Sequence, residues 1–247
     1  MKEQTHQEHG KKVADMFGRI AGWYDFLNHA LSAGQDIYWR YRLVKLVRPV
    51  KNGLVLDLAA GTLDVSVELK KQYPSIKVLA MDFAYPMLSC GKSKKLDGKH
   101  EKTRGATVAA VQADGKQLPL PDSCLDGATI AFGIRNILPR EDAYEEILRT
   151  LKPGARFCIL EFGSGRKRIW KGFYNFYLNK VLPLLGKVVS GDSGAYKYLA
   201  DTIRSFPDER TLGEELRKSG FGRVMFIPLL SGIVYIHVAE KPLESAE

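Results

Sequence analysis

The sequence is poor in cysteine, in histidine and in long apolar runs. Three widely separated cysteines and five scattered histidines in 247 residues argue against a disulfide framework and against a zinc site. We therefore expect reduced, buried thiols and no bound metal. No segment reaches the roughly 18–20 apolar residues that span a bilayer, and residues 1–10 lack the apolar stretch of a secretory signal. These absences predict a cytoplasmic protein.

The composition is otherwise that of a globular protein with an excess of positive charge. Hydrophobic residues make up 45% and charged residues 26%, so the chain can bury a substantial core. Lysine and arginine number 37, against 28 aspartates and glutamates. This excess attracts nucleic acid, anionic membranes or acidic substrates without choosing among them. The local clusters Lys92–Lys102 and Arg166–Lys171 fit solvated faces equally well.

Short apolar runs alternate with helical segments from residue 53 onward. Five runs and a later pair predict a seven-stranded sheet whose last two strands are an antiparallel edge pair. The predicted strands are Leu54–Leu58, Ile76–Met81, Thr107–Val111, Leu125–Phe132, Phe157–Leu160, Phe221–Pro228 and Gly232–Ala239. Uniformly apolar runs are typical of parallel strands buried on both faces. The predicted fold class is therefore α/β with a mostly parallel sheet.

Helical segments precede this alternation and interrupt it. Apolar spacing predicts helices over Val13–Leu31 and Gln35–Val47, so residues 1–50 form an N-terminal helical cap. Residues 51–247 form the core, with an aromatic-rich helical insertion at about residues 166–205. We expect cap and core to form one structural domain.

An acidic loop of small residues follows the first predicted strand. Asp57 and Asp64 flank this loop, which contains Gly61 and offers no lysine to a phosphate. Its spacing matches neither the dinucleotide-binding glycine pattern nor the P-loop. Negative charge in this loop favours binding of a cationic ligand. The alternative interpretation is a structural turn between strand and helix, with Asp64 as the N-cap of the helix.

Two further acids follow the second and third strands. Asp82 comes about 20 residues after the glycine loop, where a carboxylate accepts the hydroxyls of a ribose. Asp114-Gly115 stands where a carboxylate can accept a hydrogen bond from the amino group of adenine, although an Asp-Gly pair alone is simply a turn. An ammonium, a ribose and an adenine together are the features of S-adenosylmethionine.

Longer motifs run from about Val13 to His237. The most specific are Phe132-Gly-Ile-Arg-Asn136 and Tyr196-Lys-Tyr-Leu-Ala200, and the others are Met16–Asp25 with Asn28, Leu56–Thr62, Leu118–Asp122, Leu151–Gly154, Leu160–Phe162, Val181–Pro183 and Phe206–Asp208. Together they resemble the UbiE/MenG quinone C-methyltransferases, a family of class I methyltransferases. The resemblance implies a Rossmann-like fold, S-adenosylmethionine as methyl donor and a reduced prenylated quinone as acceptor, with demethylmenaquinol converted to menaquinol.

The resemblance also assigns cofactor-binding positions. These are Asp57, Gly61, Thr62, Asp82, Phe83, Asp114, Gly115 and Ala131. The family loop usually reads Ala-Gly-Thr-Gly-Asp, but Leu63 replaces its second glycine here. Leu63 either reshapes the cofactor site or points away from it. Ala131 stands where relatives can have serine, so any hydroxyl contact at that position is lost.

The implied reaction adds a methyl group to a ring carbon, which becomes nucleophilic when the neighbouring hydroxyl loses its proton. Arg135 is the leading catalytic candidate, because a guanidinium can stabilise an oxyanion although it is a poor base. A water polarised by Arg135 and Asn136 is the expected proton acceptor. Alternatively, Arg135 pairs with a carboxylate and only fixes its loop. Tyr24 is the third catalytic candidate, in the cap that the resemblance places over the cofactor.

The expected partner is a lipophilic prenyl quinol. Peripheral membrane contact through Arg166–Arg168 and a homodimer are further expectations, and no specific nucleic acid is expected. The acceptor can instead be a benzoquinol or another small molecule. A nicotinamide-dependent oxidoreductase would share Asp82 but needs the missing glycine pattern. A non-catalytic basic binding protein with weakened cofactor affinity is the remaining alternative.

Overall fold

One mixed β-sheet organises the molecule. The computed structural model describes residues 2–92, 108–163, 198 and 201–243, with side chains from residue 8 onward. Within these ranges the strands are β1 (Leu54–Leu58), β2 (Lys77–Asp82), β3 (Val108–Gln112), β4 (Leu125–Ala131), β5 (Leu151–Phe162), β6 (Arg223–Leu229) and β7 (Val234–Glu240). The order of the seven strands is β3-β2-β1-β4-β5-β7-β6. β7 is antiparallel to β5 and to β6, and the other neighbours are parallel.

The order of the strands reverses beside β1. The chain first builds outward from β1 through β2 to β3 and then returns to place β4 on the other side of β1. Open α/β sheets bind their ligands at such a reversal, beyond the carboxyl ends of the strands. The topology therefore points to the loops that follow β1, β2 and β4.

Helices cover both faces of the sheet. They are α1 (Lys2–Ile20), α2 (Tyr24–Ser32), α3 (Gln35–Val47), α4 (Asp64–Gln72), α5 (Tyr85–Gly91), α6 (Arg140–Thr150) and α7 (Glu209–Lys218). Apolar residues of α3, α4 and α5 pack on one face, and those of α6 and α7 pack on the other. Gly127 lets α3 approach β4 closely, because a Cβ there would lie only 2.6 Å from Val47 Cγ1. The result is a three-layer α/β fold.

The predicted strands and the antiparallel edge pair are confirmed, and two predicted elements need correction. The helix expected over Val13–Leu31 is two helices, because a turn at residues 21–23 that contains Gly22 separates α1 from α2. β5 begins at Leu151, six residues before the predicted Phe157. Pro153 is tolerated there because it lies beside the register shift between Leu125 and Gly127, where the ladder is already irregular.

Several predicted features lie outside the described residues. They include Arg166–Lys171, most of the insertion at residues 166–205, and the basic cluster beyond Lys92. Residues 201–205, at the end of that insertion, are helical. Among the helices that the structure describes, none has the length and the apolar character needed to cross a bilayer.

Candidate active site

A cavity of about 340 Å³ opens where the strand order reverses. Its size falls in the range of small-molecule sites, roughly 300–1,000 Å³. Eight of the eleven predicted site residues line it: Tyr24, Gly61, Asp82, Phe83, Asp114, Gly115, Ala131 and Asn136. The other three, Asp57, Thr62 and Arg135, are not part of its lining.

Backbone groups hold Asp82 at the cavity. The N–H of Gly61 donates to Asp82 Oδ2 and that of Ala84 donates to Oδ1, each over 2.8 Å. Gly61 has a φ of +53°, a conformation that glycine adopts at no steric cost. Burial raises the pKa of Asp82, while the N–H donors favour its ionised form. Each carboxylate oxygen keeps a second lone pair, so Asp82 can still accept two hydroxyls.

Asp57 does not line the cavity, and its predicted role in cofactor binding stays a prediction. Its carboxyl group points between α4 and β4, where it accepts hydrogen bonds from Ser66 Oγ at 2.6 Å and from Thr129 Oγ1 at 3.1 Å. The residue is 1% exposed. Burial raises the pKa of Asp57 to about 7, and the nearby charge of Asp82 adds to the shift. Asp57 thus connects α4 to β4 beneath the loop that follows β1.

Leu63 also points away from the cavity. Its side chain is fully buried in a small cluster with Ala80 of β2 and Leu88 of α5. Its φ of +69° is the left-handed conformation that favours glycine, which explains why a glycine suits this position. Gly91 permits the close packing, since a Cβ there would lie 2.7 Å from the Thr62 carbonyl and 2.8 Å from Leu63 Cγ. Leu63 is therefore a packing residue beneath the loop.

The loop after β3 forms another wall. Asp114 Oδ1 accepts the N–H of Lys116 at 3.0 Å, which makes a tight turn at the cavity. Gly115 is pressed against Leu58 and Ile137, because a Cβ would lie 3.2 Å and 3.3 Å from their side chains. The carboxyl group of Asp114 is 37% exposed and can reach a ligand in this part of the cavity.

Helix α1, part of the cap that the resemblance places over the cofactor, closes one side of the cavity, although none of its residues was among the predicted site residues. Ala14 and Phe17 are among its lining residues. At Gly10 a Cβ would lie 3.7 Å from the Phe83 ring, and at Gly18 it would lie 3.4 Å from Pro86. Gly10, Ala14 and Gly18 recur every four positions, so they share one helix face. That spacing of small residues is the signal that could have placed α1 against the site.

Helix α2 joins the cap to the glycine loop. Tyr24 lines the cavity and packs edge-on against Phe17, with ring centroids 5.9 Å apart. Burial raises the pKa of Tyr24, although a hydrogen bond with Asn28 and the charge of Arg135 oppose the shift. The next residue, Asp25, accepts a hydrogen bond from Thr62 Oγ1. The Thr62 hydroxyl thus connects the loop after β1 to the cap, and the predicted role of Thr62 in cofactor binding stays a prediction.

A buried polar network fastens α2 to α3. Asp36 accepts hydrogen bonds from His29 Nδ1 at 2.8 Å, from Ser32 Oγ at 2.7 Å and from Arg40. Arg40 also lies 3.4 Å from the Asp64 carboxylate. Burial alone would raise the pKa of Asp36, but these donors and the positive charge of Arg40 hold it below its usual value. His29 thus belongs to the framework of the cap.

Arg135 lies in the short helical turn Ile134–Asn136 after β4. Its Nη1 donates to the carbonyl of Phe132 at 2.6 Å and to Glu161 Oε1 at 2.7 Å. Arg135 is 7% exposed and Glu161 is 2% exposed. This is the carboxylate pairing that the sequence left open as an alternative, and the catalytic role of Arg135 stays a prediction. Glu161, in the Leu-Glu-Phe motif, was not among the predicted site residues.

Asn136 brings an amide to the cavity wall. Tyr198, of the Tyr-Lys-Tyr-Leu-Ala motif, donates its hydroxyl to Asn136 Oδ1 at 3.1 Å. With the amide oxygen used in this way, the amide nitrogen can donate to a ligand. The adjoining Gly133 allows the loops after β1 and β4 to meet, because a Cβ there would lie 2.5 Å from Ala59 Cβ.

Solved structures identify the fold as that of class I methyltransferases. An S-adenosylmethionine-dependent methyltransferase from Aquifex aeolicus superposes with a TM-score of 0.58 at 18% identity, covering 82% of this chain and 89% of its own. The [4+2]-cyclase SpnF superposes with a TM-score of 0.70 at 14% identity, covering 95% of this chain and 97% of its own. A cyclase on the same fold shows that the reaction must be argued from closer relatives and from the site.

The sequence relatives are more specific. A model of the ubiE/COQ5 methyltransferase family matches residues 4–241. The ubiquinone/menaquinone biosynthesis C-methyltransferase UbiE of Geobacter sulfurreducens is 40% identical over 96% of this chain and 91% of its own length. The demethylmenaquinone methyltransferase of Thermus thermophilus is 40% identical over 92% of this chain and 100% of its own length. The chain belongs to the ubiE/COQ5 methyltransferase family.

Proposed function

We propose that this methyltransferase adds the methyl group of S-adenosylmethionine to a ring carbon of a reduced prenylated quinone, with demethylmenaquinol as the acceptor. The observation that carries the proposal is the composition of the cavity. Its lining includes the carboxylates of Asp82 and Asp114 together with Tyr24 and Asn136. The names of the relatives from Geobacter and Thermus support the same acceptor class.

The residues present fit the methyl donor. Asp82 offers free lone pairs to the ribose hydroxyls, because its two backbone donors occupy one lone pair on each oxygen. Asp114 can accept a hydrogen bond from the amino group of adenine. Gly61 has no side chain, so a ligand can approach the backbone of the loop after β1 closely. When bound, the donor supplies an electrophilic methyl group on a positively charged sulfur.

The protein must make the acceptor carbon nucleophilic and hold it in line with that methyl group. The acceptor first loses a hydroxyl proton, and the resulting negative charge is stabilised by the Arg135 guanidinium directly or through a water. The ring carbon then uses an electron pair to form the new C–C bond as the S–CH₃ bond breaks, with its electrons left on sulfur. Loss of the proton on that carbon restores the aromatic ring as a phenolate, whose oxygen takes up one proton to give the quinol. Overall, one methyl group is transferred and one proton is released.

The test is incubation of the purified chain with isotopically labelled S-adenosylmethionine and a panel of reduced acceptors, followed by mass analysis. The panel contains a prenylated naphthoquinol, a prenylated benzoquinol and the corresponding compounds without tails. We expect a ring-methylated naphthoquinol. Methylation confined to the benzoquinol would change the acceptor, and donor binding without any methylated product would contradict the proposal.

We also propose that the cap contacts the membrane in which a prenylated acceptor dissolves. Large hydrophobic side chains are exposed on α2, on α3 and in the turn before α2: Trp23 (55%), Phe26 (57%), Ile37 (59%), Tyr38 (47%) and Tyr41 (41%). Arg42 lies over the Tyr38 ring, 5.8 Å from its centroid, and Lys45 is exposed on the same helix. Aromatic side chains beside basic ones favour the interface of an anionic bilayer. The net charge of +9 has the sign that such a surface attracts.

Flotation with lipid vesicles tests this contact. The wild type is expected to float with anionic vesicles more than with zwitterionic ones, and Trp23→Ser with Phe26→Ser is expected to reduce flotation. Tyr85→Ser, which removes a ring that is 58% exposed on α5, is the matched control. Equal flotation of the double variant and the wild type would contradict a membrane role for α2.

A further inference from the structure

The buried guanidinium of Arg135 is held at one nitrogen. Both hydrogens of Nη1 are used, one by the Phe132 carbonyl at 2.6 Å and the other by Glu161 Oε1 at 2.7 Å. Nε is buried and has no hydrogen-bond partner among the described residues. No described residue accepts a hydrogen bond from Nη2 either, and the neighbouring Phe132, Gly133 and Asn136 line the cavity, so this edge of the guanidinium is the one that can act on a substrate oxygen through a water.

Glu161 is itself fixed by the end of β5. The N–H of Phe162 donates to Glu161 Oε1 at 2.9 Å, so one oxygen receives both the backbone and the guanidinium. The Phe162 ring lies beneath the guanidinium, with its centroid 5.8 Å from Arg135 Cζ. The same ring packs on that of Phe132, and the two centroids are 4.8 Å apart. Carboxylate, backbone and rings together leave the guanidinium little freedom to turn.

The buried positive charge of Arg135 depends on the carboxylate of Glu161. An arginine that is 7% exposed carries a large desolvation cost unless a carboxylate compensates it. The side chain of Glu161 supplies that charge from the strand next to β4, 26 residues along the chain. Removing the charge while keeping the shape would leave the guanidinium free to move toward another acceptor.

We propose that Glu161 is the positioning residue of Arg135: it fixes the guanidinium so that the remaining donors face the developing oxyanion of the acceptor. This inference rests on the proposed function. It predicts that Glu161 acts on the rate only through Arg135, whereas a purely structural residue would act on folding and donor binding.

The test is a double-mutant cycle on the full chain. Single-turnover rates are measured for the wild type, Glu161→Gln, Arg135→Ala and the double variant, with donor affinity from calorimetry and folding from thermal unfolding. Glu161→Gln is expected to lower the rate roughly 10- to 100-fold, as loss of an outer hydrogen-bond partner does at other sites. Donor affinity should stay within about twofold, and Glu161→Gln should add little to Arg135→Ala, because groups that act as a unit are not additive.

A matched control lies on the same pair of strands, β5 and β7, at the other end of their pairing from Glu161. Glu240 pairs with Arg156 at 2.8 Å, so Glu240→Gln removes a similar ion pair far from the cavity and should leave the rate unchanged. If Glu161→Gln does not fold, Glu161→Asp keeps the charge and withdraws it by one methylene, and it should still slow the reaction. A folded Glu161 variant with the wild-type rate would overturn the proposal. So would a double variant whose loss of rate equals the product of the losses in the two single variants. A wild type that binds the donor but methylates no acceptor would instead overturn the proposed function.

Discussion

Asp82 and Arg135 both lie at the carboxyl edge of the sheet, but they are held by different means. Asp82 receives two backbone N–H groups from the loops after β1 and β2. Arg135 is held by the side chain of Glu161 and by one carbonyl. A group held by backbone keeps its place as long as the strands do. A group held by another side chain depends on one residue that evolution or an experiment can replace.

Under the proposed function, the difference also separates two roles, binding of the donor and stabilisation of charge during the reaction. Binding of the donor needs a stable cradle, which loops tied to strand ends provide. Stabilising an oxyanion needs a charge aimed at an atom that becomes negative only during the reaction, so orientation decides its value.

The largest effect is expected at Arg135. Arg135→Ala should lower the single-turnover methylation rate roughly 10²- to 10³-fold, the loss typical of removing one oxyanion donor. Donor affinity should change little, because the interaction is made in the transition state. Arg135→Lys keeps the charge opposite Glu161 and should also be impaired, since it lacks the planar fork. A folded Arg135→Ala variant with the wild-type rate would move the search for the activating group to Tyr24.

Leu63 tests whether the loop beneath Asp82 is set by packing. Leu63→Ala should lower the free energy of unfolding by about 3 kcal/mol, as removal of a buried leucine does. Leu63→Gly should cost about 1 kcal/mol less than the alanine variant, because glycine adopts the positive φ without strain. Chemical denaturation gives both values. Tighter donor binding by Leu63→Gly would contradict the packing role.

Asp82 should matter for affinity and less for rate. Asp82→Asn should weaken S-adenosylmethionine binding by about 2 kcal/mol, within the range for hydrogen bonds to a charged group. Calorimetry measures the loss. Asp122→Asn, at a carboxylate that is 76% exposed, serves as the control. Unchanged affinity in Asp82→Asn would remove this residue from the donor site.

The smallest effect is a pH dependence at Asp57. Burial raises its pKa from 3.8 to about 7, so the folded state holds a proton that the unfolded chain releases near pH 4. Stability from this group is full below the unfolded pKa and is lost as pH rises toward the folded one. Between pH 5 and pH 7 the wild type should lose about 1–2 kcal/mol relative to Asp57→Asn. Urea titrations at both pH values measure the free energy of unfolding of the two proteins. The same difference between wild type and Asp57→Asn at pH 5 and at pH 7 would contradict the prediction.

Much of the sheet and of the candidate site was predictable from local sequence. Apolar runs located β1 to the residue, and the antiparallel pair β6 and β7 was expected at the edge. Acids at strand ends could be assigned because parallel strands bring their carboxyl ends to one edge of a sheet. Asp82 and Asp114 line the cavity for that reason.

Tertiary structure decided the direction of each side chain and the long-range partners. Asp57 turns toward Ser66 and Thr129, Leu63 turns beneath the loop, and Arg135 pairs with Glu161. A sequence pattern reports which residues share a helix face or a strand face, because those spacings are local. It does not report which side chain meets another across adjacent strands. The assembled sheet alone sets those contacts, since packing and the neutralisation of buried charge act between residues far apart in the chain.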